Sequence, residues 1–430
     1  MRVSTFQFYQ SNTNNILDKQ SRVNDQIIHL SEGKRVIVGS DDSVATNSIL
    51  NYKQEIRVTD QYQRNGDFAE SRLRAEETAL GSAETVLLRI KELTLQGNNG
   101  ALGAEERDAI AQELEARLEE LLSLSNTKDE GGNYVFAGFQ TSIKPFEQQP
   151  DSSVIYNGDQ GQRETNLGPS VTITTNDSGQ DVFVEIPNSV GHFRPEYGPN
   201  TTGLYGPINA GKAFVDSATI VDPSQYDTAA FPPPYTISFQ EDPVTLEMGY
   251  YVTDSSGAYI EPAQPAPIPP ALAVTNPYVP GEKISIVNDS VEFILTGDPV
   301  DGDVIELGEQ DSKDVFETVN EVIDWLRSPR GTDEQRNQLQ VDIGHLIEDL
   351  DSSFNHITAI HASVGSRLQV VDSQNSINQD YVLTIETARI QLEDLDIAEA
   401  TTEFKRQEIA LQAAQASFAQ LQNLTLFQYI

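Results

Sequence analysis

A mainly α fold with β, in which a discontinuous helical bundle carries an inserted antiparallel β-sandwich-like domain, is predicted by two observations. Apolar residues repeat every seven positions at both ends of the chain, and proline is confined almost wholly to the middle. Ile16, Val23 and Leu30 are spaced by seven with Ile27 on the same face. Ile390, Ile397, Phe404, Leu411 and Phe418 repeat likewise near the other end, supported by Ala400, Ala414 and Leu421. Of 21 prolines, 17 lie between Pro187 and Pro299, while residues 1–144 and 330–430 hold none. A helix interior excludes proline, whereas a loop-rich β domain tolerates it. Long-helix coiled-coil arms contributed by both termini are therefore expected to flank the insert.

In chain order, the first arm predicts a long helix through Leu73, Leu80 and Leu87, with Ala83 and Ile90 beside them, that stops at Gly97-Asn98-Asn99-Gly100. A second helix is predicted over Ala104–Ser125, with Ile110, Leu114, Leu118 and Leu121 on one face and Glu105, Glu106 and Asp108 near its start, where the macrodipole favours negative charge. Tyr134-Val135-Phe136 reads as a strand, Val154-Ile155-Tyr156 before Asn157-Gly158 as a hairpin, and Val171–Thr174 as a further strand. Short β-prone runs then follow at Tyr235–Phe239, Gly249–Thr253, Ile284–Val287, Val291–Leu295 and Val304–Leu307, with Pro262–Pro270 as an extended connector. Helix returns behind two capping boxes, Asp314 with Glu317 and Thr332 with Gln335. Ile343, Leu350, Ile357, Val364 and Val371 repeat by seven, with Leu346 and Ile360 near the seam. Between Val371 and Ile390 the register slips, which predicts a bend, stutter or loop near residues 372–389.

These patterns divide the chain into 1–50 with 385–430 as a terminal coiled-coil domain, 51–184 with 312–384 as a helical bundle carrying a small β-hairpin region, and 185–311 as an acidic, proline-rich all-β insert. Charge follows the same division. Residues 185–311 hold 19 acidic groups against three basic ones, and residues 1–64 hold eight basic against seven acidic.

The 430 residues carry a formal charge of -38, which disfavours nucleic acid or an anionic membrane as partner, since both require a cationic surface. Without cysteine there is no disulfide framework, thiolate metal site or cysteine nucleophile. The five histidines are scattered; His356 and His361 read as interhelical polar contacts, not metal ligands. Asp298, Asp301, Asp303 and Glu306 look calcium-like, but Val300 and Gly302 break the alternation a calcium loop needs, so a solvated turn is expected. No phosphate loop, nucleophile elbow or dinucleotide fingerprint is present, and nothing makes a case for an enzyme or a cofactor. Met1–Gln10 lack a basic stretch followed by an apolar one, so these residues alone suggest a cytosolic protein.

Leu30-Ser31-Glu32-Gly33-Lys34-Arg35-Val36, followed by Ser40-Asp41-Asp42, resembles the signature of the flagellin-like family of axial proteins, with Ser43-Val44 where the family usually has Pro-Ala. Asn65-Gly66-Asp67 through Leu93 and Gln96-Gly97-Asn98, together with Glu393-Asp394-Leu395-Asp396, Ala398-Glu399-Ala400 and Leu411-Gln412-Ala413, are similar to its paired helices and C-terminal pattern. Within the family, Gly132-Asn133-Tyr134-Val135-Phe136-Ala137-Gly138, Pro145-Phe146, Tyr156-Asn157-Gly158 and Gln162-Arg163 resemble the members at the junction between hook and filament. The resemblance implies a structural protein of the bacterial flagellum, exported unfolded through the flagellar type III apparatus without a cleaved signal and therefore extracellular. It further implies a homo-oligomeric ring or tube, with a hook-associated protein on one side, flagellin on the other and an export chaperone before secretion. Ile16, Val23, Ile27, Leu30, Ile390, Ile397, Phe404, Leu411, Phe418 and Leu421 are then the candidate subunit-packing residues, expected to fold on assembly because isolated helices are marginal in water. Two other readings stand beside this one: filament flagellin itself, and a filament-borne surface-binding module whose insert aromatics Phe193, Tyr197, Tyr205, Tyr250 and Tyr259 stack on sugars.

Overall fold

In the computed structural model, residues 5–198, 209–242, 246–263 and 275–427 are described, with side chains for all of these except 5, 6, 8 and 421–427. Tyr205, most of the Pro262–Pro270 connector and the Leu421 side chain lie outside the described residues. Six α-helices organise the chain: α1 (Thr5–Glu32), α2 (Ser43–Gly97), α3 (Ala104–Ser125), α4 (Val315–Arg327), α5 (Asp333–Glu393) and α6 (Ile397–Phe427). The predicted fold class is the observed one, long helices from both ends of the sequence around a β-rich middle.

Two compact units result. A terminal unit comprises Met1–Asp67, Asn166–Val171 and Asp372–Ile430, and a central unit comprises Phe68–Thr165 and Thr172–Val371. This division differs from the three domains expected from composition, because the insert belongs to the same unit as α3 and α4. Polar side chains at the base of the insert explain the difference. Arg194 pairs with Glu317 of α4 at 2.9 Å, Lys313 reaches Asp349 of α5 at 2.9 Å, and the Tyr197 hydroxyl meets His345 Nε2 at 2.6 Å. Asn337 of α5 donates to the Ala210 carbonyl at 2.8 Å.

In the central unit the helical stripes are buried as the sevenfold spacing requires. Leu73, Leu80 and Ile90 of α2, Leu114 and Leu121 of α3, and Ile357, Val364 and Val371 of α5 have no measurable exposure. Caps define the starts. The Asp314 carboxylate accepts the Glu317 N–H, and Thr332 Oγ1 accepts the Gln335 N–H at 3.2 Å while Gln335 Oε1 accepts the Thr332 N–H at 3.1 Å. His361 of α5 contacts Glu84 of α2 at 3.0 Å and His356 donates to the Asp181 carbonyl at 2.7 Å.

The insert is a sandwich. One antiparallel sheet runs in the order Tyr259–Glu261, Met248–Thr253, Tyr235–Glu241, Val304–Glu309 and Phe193–Tyr197, with Asn276–Pro277 also pairing on Met248–Thr253. The other runs Lys283–Ile286, Val291–Thr296 and Phe214–Ile220. Phe193, Val215, Tyr235, Phe293 and Ile305 fill the space between them. Phe193 and Tyr250 are thus core residues, and Tyr197 is packed against the same core. Asp303 is a turn organiser: its two oxygens accept the N–H groups of Ala210, Gly211 and Val300 at 2.8–2.9 Å.

Three local expectations are corrected. Tyr134–Phe136 is not a strand but belongs to a tight loop, because its Val135 and Phe136 turn inward to a buried cluster and Tyr134 pairs only with Lys128 and Thr141. Val154–Tyr156 does form a hairpin, yet its partner is Phe146–Gln148 before it, not a strand after Asn157-Gly158. Asn157 instead donates its N–H back to the Pro145 carbonyl at 2.7 Å. The third concerns residues 372–389, where α5 continues unbroken to Glu393. Asn378 and Ile385 are buried seven and fourteen positions after Val371, so the seam keeps its register through a polar residue. The break falls at residues 394–396.

The junction-like motif builds the aromatic centre of this unit. Phe146 lies 5.6 Å from Phe183, 5.1 Å from Tyr156 and 5.3 Å from Phe316, and Phe136 stacks edge-on to Phe183 at 5.2 Å. Gly138 holds φ +66°, and a Cβ there would strike the Asp159 carbonyl, so only glycine fits the turn. Phe146→Ala is expected to destabilise the central unit by about 3–5 kcal/mol, read as a lower urea midpoint for its transition.

Candidate assembly surface

Within the terminal unit α1 and α6 pack against each other. Val23 is buried and Ile16, Leu30, Phe404, Leu411 and Phe418 are half-buried, as expected for side chains that share one seam between two helices. At one end of the pair Tyr9 meets Phe418 edge-on at 6.0 Å. Ile27, Ile390 and Ile397 are not enclosed by this pairing; Ile397 remains 63% exposed. Leu17, Ile28 and Ile409 are exposed as well, the last at 64%. The two helices bury one stripe each and leave further large aliphatic side chains exposed. The sevenfold count placed Ile27, Ile390 and Ile397 on the terminal seam, where the structure leaves them exposed, and did not pick out Leu17, Ile28 and Ile409.

The ends of the helices are held by a clasp that the spacing of apolar residues did not reveal. Gly33–Val36 lies antiparallel to Glu393–Leu395: the Arg35 N–H donates to the Glu393 carbonyl at 2.8 Å, and the Leu395 N–H to the Gly33 carbonyl at 3.0 Å. Its centre is the Glu393 carboxylate, 3% exposed, which accepts Lys34 at 3.1 Å, Lys53 at 2.9 Å and Arg389 at 2.6 Å. Burial alone would raise this carboxyl; hydrogen bonds from Lys53, Arg389 and Lys34 outweigh it and hold it at about 2. Arg35 adds a bond to the Leu392 carbonyl at 2.8 Å, and Val36 packs with Ala45, Ile49 and Leu392.

Asp residues set the direction in which the helices leave the clasp. Asp42 Oδ1 accepts the N–H groups of Val44 and Ala45 at 3.2 and 2.9 Å, opening α2, and Asp396 Oδ1 accepts those of Ala398 and Glu399 at 2.9 and 3.1 Å, opening α6. Asp41 Oδ2 turns the chain between, accepting the Ile37 and Val38 N–H groups at 2.9 and 3.0 Å. What the arrangement offers is fixed helices with exposed apolar side chains. Among the described residues no group of acidic or histidine side chains is placed to hold a metal ion, and no helix is long and apolar enough to cross a membrane.

The residues that form this surface are also those that match known proteins. Residues 3–141 match the bacterial flagellin N-terminal helical region, and residues 347–430 the bacterial flagellin C-terminal helical region, together just over half of the chain. The chain belongs to the flagellin family. Flagellar hook-associated protein 3 of Escherichia coli (strain K12) is 27% identical over 231 residues, 54% of this chain and 71% of that protein. A flagellin of Escherichia coli O127:H6 is 31% identical over 124 residues, which span 29% of this chain and 23% of the flagellin. The crystal structure of the flagellar junction protein FlgL from Legionella pneumophila superimposes with a TM-score of 0.64 at 28% identity, covering 81% of this chain and 100% of that one. This family member is a structural protein of the flagellum, and the relatives it matches are structural flagellar proteins. The clasp contains Gly33-Lys34-Arg35 and Glu393-Asp394-Leu395-Asp396, so the motifs that carry the family resemblance are the ones that join its two terminal segments.

Proposed function

We propose that this chain is the adaptor joining hook to filament, polymerising with its own copies through the apolar faces of α1 and α6. The observation that carries the reading is the extent of likeness. The hook-associated relative is matched along most of its length and the Legionella junction protein along all of it, whereas the flagellin is matched along less than a quarter. In this reading Ile27, Ile390 and Ile397, bare in the single chain, meet the helices of neighbouring copies, and Ile16, Val23, Leu30, Phe404, Leu411 and Phe418 line the seam within each copy. Burying each large apolar side chain contributes about 1.5–3 kcal/mol, and a ring repeats that gain at every subunit contact. A hook-associated protein then lies on one side and flagellin on the other, after export unfolded with a chaperone as escort.

The 1–50 with 385–430 arm would form the inner zone of such a ring and the 185–311 insert the zone furthest from its axis. Phe193 and Tyr250 are enclosed in the insert core, which disfavours a sugar-stacking role for them. Labelling the chain on native flagella tests the proposal. A short band at the boundary of hook and filament is expected, and label along the whole filament would replace the adaptor reading with that of a flagellin.

A further inference from the structure

Glu76 is a buried carboxyl that the assembly surface does not use. It lies on α2 in the central unit with no exposure to solvent. One oxygen is satisfied: Oε1 accepts the Asp177 N–H at 3.0 Å. The other, Oε2, is buried without a hydrogen-bond donor. The Asp177 charge acts on the same carboxyl, and Asp177 Oδ2 accepts the Arg367 guanidinium of α5. Two carboxyls therefore face one close cation. An ionised Glu76 would leave a dry, donorless oxygen beside a second negative charge, which is strongly unfavourable. A protonated Glu76 supplies the missing donor itself.

We propose that Glu76 is held protonated, and that this proton locks α2, α5 and the 175–179 segment together in a pH-sensitive contact. The other charged groups around it do not remove the need. Arg72 of α2 is engaged by Asp129 at 3.4 Å. Arg163, beside that segment, holds Asn176 Oδ1 through its N–H at 2.8 Å; burial and then the charge of Arg72 lower it, while Asp129, Asp159 and Glu76 act in the opposite sense. Burial first, then the Asp177 charge, raise Glu76 well above the ordinary glutamate range, with Arg367 opposing. A group raised on folding contributes fully below its unfolded value, and the contribution is lost as pH rises through the folded one. The contact is accordingly firm in mild acid and loosens in base.

Amide exchange on the full chain tests this. As pH rises above the ordinary glutamate range the protection of residues 175–184, corrected for intrinsic exchange, is expected to fall by up to about tenfold per pH unit. In Glu76→Gln, which keeps the shape without the charge, protection should be flat. An equal slope in both proteins overturns the proposal. Should the variant disturb the fold, the carboxyl 13C titration of glutamate-labelled wild type decides: one glutamate titrating well above the ordinary glutamate range is expected, and titration of every glutamate in the ordinary acid range overturns the buried proton.

Discussion

Replacing Phe404 and Leu411 together by aspartate is expected to leave a soluble protein that no longer joins hook to filament. Both side chains are half-buried on α6, which packs on α1, and each contributes part of the about 1.5–3 kcal/mol that full burial would give. Two carboxylates on that face must either stay hydrated, which keeps α6 away from α1, or lose water without a partner. Either way the terminal unit loses the stripe that pairs its two helices. The central unit does not contain these residues and should keep its urea transition. Motility in soft agar, with electron microscopy of the hook tips, reads the outcome: bare hooks and shed filament are expected. Normal junctions in the double variant would sink the assembly model.

Neutralising Glu393 is the second large effect. Glu393→Gln leaves Lys34, Lys53 and Arg389 converging on a group that no longer compensates them, and the carboxylate they lose is 3% exposed. Breaking a fully buried ion pair costs about 3–5 kcal/mol. Lys34 and Lys53 are 42% and 40% exposed, so hydration screens some of this, and about 2 kcal/mol is the expected loss for the terminal unit. The sign with pH follows from the direction of the shift. A carboxyl held at about 2, against 4.5 for a free glutamate, contributes above the free value and loses that contribution as pH falls toward 2. Wild type should therefore weaken in acid more steeply than Glu393→Gln, measured as unfolding midpoints of the terminal unit from neutral to acid pH. Equal acid sensitivity would assign the clasp to its backbone bonds alone.

How far these features could be read beforehand depends on the distance over which each acts. The start and end of α3, the stop of α2 at Gly97 and the caps at Asp314 and Thr332 are local, set by residues within one turn of one another, and the sequence shows them directly. Strands 193–197 and 214–220 were not visible in it, because Pro195 and the polar Asp216-Ser217 interrupt the alternation that marks a strand. The insert's attachment depends on Lys313 with Asp349 and Arg194 with Glu317, and charge counts describe such residues as merely acidic or basic surface. For the assembly surface, the first apolar stripe is a matter of counting by seven. The clasp joins Lys34 and Lys53 to a carboxylate more than 300 positions away, and no local pattern announces that three cations meet one acid.

Asn378 has a mechanical consequence. Its amide donates to the Leu167 carbonyl at 2.9 Å from the middle of an apolar seam, and on the same turn Asn65 donates to the Asn166 carbonyl at 2.9 Å. Sliding α5 along its axis would break that bond, so the amide favours one axial position of the helix.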